Sequence, residues 1–155
     1  MSGRLTDELV AERAELLALL DSFEPARMRA QALVGDWGAR ELLAHLGYWA
    51  GHAVEVIHAV EGGRIDEIGR DEPSVDERND TVARVARQTD LATVRKRESA
   101  SVQALLDRLA TLDPAFLAAR LPDGASLEQG IREDGAAHYR EHADQLRAAL
   151  GPGRT

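Results

Sequence analysis

Three histidines in this chain have the type and spacing to hold a metal ion. His138 and His142 lie four residues apart in a strongly helical segment, which puts both imidazoles on one helix face, one turn apart. His45 sits far upstream in a second helical segment. If the two helices face each other, three neutral nitrogen donors converge and leave at least one coordination position open. That is the donor set of a catalytic rather than a structural metal site. A histidine pair alone is more often structural or exposed than a metal site; the third histidine on a separate helix brings the metal reading level with that alternative.

The periodicity of the surrounding sequence decides which way these residues point. In the second helical segment, about Ala39 to Glu61, the apolar stripe is Leu42, Leu46, Trp49, Ala53, Val56 and Val60, and His45 and His52 share its face. His58 falls on the opposite side. In the last segment Ile131, Gly135, His138, His142 and Leu146 lie near one line, so both histidines turn inward. Leaving a buried polar group unsatisfied costs about 1–3 kcal/mol, and a shared ion removes that cost.

Four or five helices and no convincing strand are predicted. The first runs from about Thr6 to Asp21 on Leu9, Leu16 and Leu20, and Gly62-Gly63 ends the second. A loop over 62–73 is placed to carry the chain across the end of a bundle. Ser74 and Glu77 form a capping box for a third segment, Asp90 marks a break, and a fourth segment runs from about Leu91 to Leu112. Phe116-Leu117 falls in a short turn. Ser126 and Gln129 form another capping box, opening one last continuous helix that ends at Gly151-Pro152. The expected fold is all-α, a four-helix bundle with a crossover connection, as one domain over 1–151 with a disordered tail at 152–155.

Composition excludes several chemistries. The 155 residues include no cysteine, which rules out a disulfide framework, a thiolate metal site and a cysteine nucleophile. The net charge is −8 and Lys96 is the only lysine, so the concentrated basic face that nucleic-acid binding needs is absent. The Arg95-Lys96-Arg97-Glu98 run reads as a solvated helix face. The polar start has no signal-peptide core and no run reaches the length of a membrane span, so a soluble cytoplasmic protein is expected.

With these residues in place the sequence resembles the DinB/YfiT-like superfamily of four-helix bundles, which includes bacterial thiol S-transferases and the metal-binding domain of mycothiol-dependent maleylpyruvate isomerase. The resemblance rests on Asp36-Trp37-Gly38-Ala39-Arg40-Glu41-Leu42-Leu43-Ala44-His45-Leu46, on Trp49 and on His138-x-x-x-His142, and it covers about Leu5 to Leu150. It implies a divalent ion on His45, His138 and His142, with zinc, nickel and iron(II) all suited to three imidazoles. In the isomerase branch the first residue of the terminal pair is glutamate, so His138 favours the three-histidine branch. The resemblance also implies a low-molecular-weight thiol such as mycothiol or bacillithiol as co-substrate, a small-molecule substrate and a homodimer. Two functions follow as expectations. One is a metal-dependent thiol transferase or hydrolase, whose nucleophile is a metal-bound water or thiol. The other is a small-molecule-binding or resistance protein on the same bundle.

Four further residues are candidates for the surroundings of the site. Asp134 lies one turn before His138 and could accept a hydrogen bond from a ligand imidazole, or be a solvated residue. His52 is two turns beyond His45, about 10 Å of rise, too far to share the ion but able to line the pocket. Trp49 suits a core position, and Asn79 could reach the pocket mouth. Tyr139 points about 100° away from His138 and is expected at the bundle surface or a subunit interface.

Overall fold

The computed structural model describes residues 2–28 and 33–151; the predicted tail at 152–155 lies outside the described residues. The helices are α1 (Ser2–Asp21), α2 (Pro25–Met28), α3 (Ala39–Glu61), α4 (Val75–Arg87), α5 (Leu91–Thr111), α6 (Leu127–Asp134) and α7 (Ala136–Leu150). Single 3-10 turns at Ile65–Glu67 and Pro114–Ala118 interrupt the connections. No strand forms among the described residues.

Four rods make the bundle: α1, α3, α5 and the α6–α7 pair. Glu12–Arg140 and Glu15–Arg147 ion pairs run in step along α1 and α7, so these two are parallel. Gly47 faces Glu98 and Gly51 faces Ser101, so α3 and α5 are parallel as well. Arg13 meets Glu98 while Asp21 meets Arg95, which makes α1 and α5 antiparallel. Two parallel neighbours in sequence need a long return connection. Here the 62–74 loop and α4 together supply it: α4 runs back along α3, with Asn79 beside Trp49. The crossover therefore uses a whole helix, where the sequence suggested the loop alone.

Local chemistry sets the ends. Gly63 (φ 72°) lets the Arg64 and Gly63 amides return to the Ala59 and Val60 carbonyls, satisfying the last turn of α3. Ser74 with Glu77, and Ser126 with Gln129, form reciprocal capping boxes. Asp90 caps α5 by accepting from the Thr93 amide. The core is aliphatic, built on Leu5, Leu9, Leu16, Leu20, Leu42, Leu46, Ile57, Val102, Leu105, Leu109 and Leu146.

Three expectations are corrected. The last helix is not continuous: Gly135 takes φ −114° and ψ −108°, closing α6 and opening α7. A β-carbon there would lie 2.9 Å from the Ile131 carbonyl oxygen, so the break depends on glycine. Tyr139 is not at the surface but wholly buried, its hydroxyl donating to Glu98 at 2.6 Å. Glu98 is not solvated either. It follows Val94 by one turn and precedes Val102 by one turn on the buried stripe of α5, and Arg13 donates to both its oxygens at 2.7 and 2.8 Å.

Candidate metal centre

The site forms where α3 faces α7. The Val34–Trp37 turn, with Gly35 at φ 56°, delivers Trp37 to the start of α3. The Glu41 carboxylate accepts from the Gly38 amide at 2.7 Å and fixes that first turn. Trp37 then packs on His45 with ring centroids 4.6 Å apart. One turn of α7 carries His138 and His142 against the same point.

The structure brings His45, His138 and His142 together, with one ring nitrogen from each lying within 4.8 Å of the others. Nε2 of His45 is 2.7 Å from Nε2 of His138. His45 and His142 are buried and His138 is half-buried. Nδ1 of His142 lies 2.6 Å from Oε1 of Gln145; since a carbonyl oxygen only accepts, Nδ1 carries the proton and Nε2 is left as the free donor. Nδ1 of His45 and of His138 is buried without a hydrogen-bond partner.

Burial is the main cause of the electrostatics here, because it penalises the charged imidazolium. It pushes His45 down to about 3, helped by the positive charge that His138 and His142 would carry. It pushes His138 down to about 4, helped by His142. His142 is also lowered by burial, with Gln145 opposing. All three rings are therefore neutral near pH 7, the form that ligates metal. Three lone-pair donors crowded into one point, two of them in direct contact, fit a divalent cation. The donor set is borderline-soft nitrogen throughout, suited to zinc, nickel or iron(II) rather than magnesium or calcium.

The cavity over the three histidines holds about 440 Å³ and is walled by Trp37, Trp49, Val75, Asn79, Glu133, Asp134 and Glu141. Asn79 accepts from the Trp49 indole N–H at 2.9 Å, tying α4 to the cavity wall. The Asp134 carboxylate accepts from no ligand imidazole. Its Oδ2 lies 2.6 Å from Nδ1 of His52, so the two flanking candidates pair with each other. His58 is exposed. The sequence reading passed over Gln145, although its position one turn after His142 was a usable signal. It also passed over Arg78, which stacks on Trp49 with its guanidinium carbon 4.9 Å from the ring centroid.

An all-α bundle with a crossover helix carries, between its second and last rods, a histidine triad that could hold a metal ion. Residues 8–148 match the DinB superfamily, and the chain belongs to it. No curated protein and no solved structure matches the chain. No helix among the described residues is long and apolar enough to cross a membrane.

Proposed function

We propose that this protein is a metal-dependent thiol transferase or hydrolase, in which a low-molecular-weight thiol or water attacks a small-molecule substrate, gives up its proton and displaces the substrate's leaving group. The observation that carries this reading is the convergence of three neutral imidazoles, two buried and one half-buried, on one point beside an open cavity. A divalent ion held there acts as a Lewis acid and lowers the pKa of a water or thiol, supplying a nucleophile near neutral pH. His45, His138 and His142 hold the ion, and Gln145 fixes the tautomer of His142. Trp37 and Trp49 line the cavity, and the Trp49–Asn79 hydrogen bond keeps the second of them in place. With no cysteine in the chain, a thiol nucleophile comes from solution.

Elemental analysis of protein purified without a histidine tag tests the centre. About one equivalent of a transition metal, or uptake of one equivalent of added zinc or nickel, is expected. Less than about a tenth of an equivalent with no uptake overturns it. Incubating the loaded protein with cellular thiols and a panel of electrophiles then tests the reaction. A rate above buffer that His138→Ala abolishes together with the metal is the expected result. The absence of any such rate leaves the small-molecule-binding reading.

A further inference from the structure

Beside the histidine cavity lies a second one of about 410 Å³, and the two share Glu133 and Asp134 in their walls. Its floor is apolar, from Ala53, Val56 and Ile131, and its polar side is formed by His52, Arg78 and Asp134. Arg78 is the unusual member. Its side chain is only 16% exposed, yet among the described residues Glu72 is its one ion-pair partner. Nε is fully buried without a partner. The guanidinium is held by stacking on Trp49 and by one long contact, 3.4 Å from Nη1 to Glu72 on the outer loop.

The half-buried carboxylate of Asp134 does not hydrogen-bond it. Asp134 is close enough for Arg78 to lower its pKa, but its Oδ2 is engaged by His52 at 2.6 Å. The remaining acids on the rim, Glu133 and Asp123, are exposed. A mostly buried guanidinium with open donors is a costly arrangement, and it matches the planar, bidentate geometry of a carboxylate. We infer that this cavity is a substrate subsite in which Arg78 binds the carboxylate of a small organic acid. The apolar floor receives that acid's carbon skeleton, and its reacting end is directed toward the three histidines. Glu72 occupies the guanidinium when no ligand is present and gives way when one binds.

The use of this subsite rests on the metal-centre reading, but its binding does not, and the test separates them. The Trp49 indole N–H resonance, beside Arg78, is followed in ¹⁵N-labelled protein, as purified and after chelation, during titration with succinate, inorganic phosphate and uncharged succinamide. Succinate should give a saturable shift in both preparations, and succinamide none. Arg78→Gln should weaken succinate binding about tenfold or more, the loss expected for one charge-assisted pair. Glu72→Gln, on an exposed loop, should tighten it. The inference is overturned if succinate gives no saturable shift below about 100 mM, if Arg78→Gln responds like the parent, if succinamide matches succinate, or if phosphate alone binds. Absent zinc uptake would overturn the metal centre and leave these titrations of the chelated protein unchanged.

Discussion

Gly47 of α3 and Glu98 of α5 pass so closely that a β-carbon on Gly47 would lie 3.0 Å from the Glu98 Cα and 3.3 Å from its Cβ. This contact lets the two parallel rods approach while Glu98 stays buried beneath them. Replacing a mid-helix glycine by alanine ordinarily stabilises by up to about 1 kcal/mol. At Gly47 the obstacle is backbone, which cannot swing aside, so overpacking of about 1–3 kcal/mol should win. Gly47→Ala is expected to lower the urea midpoint. At Gly51, one turn on, the nearest atom is Ser101 Oγ at 3.9 Å, so Gly51→Ala should raise it. Equal responses from the two variants would contradict this account of helix packing.

The Arg13–Glu98–Tyr139 cluster makes a second prediction. Arg13 holds both Glu98 oxygens and Tyr139 donates to one of them, so the buried carboxylate is fully satisfied. Burial, with the Glu98 charge next, raises the Tyr139 phenol well above its usual value, so it remains a donor. Glu98→Ala strands the guanidinium of Arg13, which is a quarter exposed, and should cost about 3 kcal/mol, the low end for a broken buried pair. Tyr139→Phe removes one charge-assisted bond and should cost about 1.5–3 kcal/mol. Both are read from chemical denaturation, and metal stoichiometry should not change in Tyr139→Phe.

These two contacts also show what was legible in the sequence and what was not. The boundaries of α3, the capping boxes at Ser74 and Ser126 and the inward turn of the three histidines follow from local rules, namely periodicity and side-chain-to-backbone hydrogen bonds. Glu98 sits in register with Val94 and Val102, so periodicity did mark it as inward. Its charge argued the other way until its partner Arg13 was known, and that partner lies 85 residues away. Tyr139 and the His52–Asp134 pair were hidden for a related reason. The break at Gly135 and the meeting of α3 with α6 are tertiary facts, and helical phase alone cannot carry them across an interrupted helix.

The buried histidines predict an acid-sensitive apoprotein. In the unfolded chain they protonate near the ordinary imidazole value of 6.5, but when folded His45 and His138 resist protonation down to about 3 and about 4. Below the unfolded value the unfolded state therefore binds protons that the folded state does not, and stability falls with pH. The contribution is complete above about 6.5 and is lost progressively as the pH drops toward 4. Asp134, raised chiefly by burial, acts in the opposite sense, so comparison with a variant isolates the histidine part. The urea midpoint of metal-free protein should decline across this window, and His45→Ala should flatten the decline. A bound ion should delay the decline, because in the folded protein protons compete for the His45 and His138 nitrogens only near about 3 and about 4. A midpoint that is flat from pH 7 to 4.5 in the parent would contradict the burial argument.

Gln145 offers the most direct handle on the proposed centre, because it touches one candidate ligand, His142, without being one. Its Oε1 accepts the His142 Nδ1 proton at 2.6 Å, holding the ring beside those of His45 and His138 and leaving Nε2 unprotonated. The pair spans three residues of one helix, so the constraint is local and its loss should not disturb the fold. Gln145→Ala frees the His142 ring to rotate and to exchange tautomers. Metal affinity should fall by about 10–100-fold, the usual cost of losing an outer partner of a ligating histidine. Gln145→Glu keeps an acceptor at the same reach and should retain most of the affinity, whereas a merely space-filling role would be served equally by Gln145→Met. Competition against a chromogenic chelator gives the affinities, and thermal melting of the metal-free variants confirms that the bundle is intact. If Gln145→Met binds zinc as tightly as the parent, the hydrogen bond to His142 does not position the ligand.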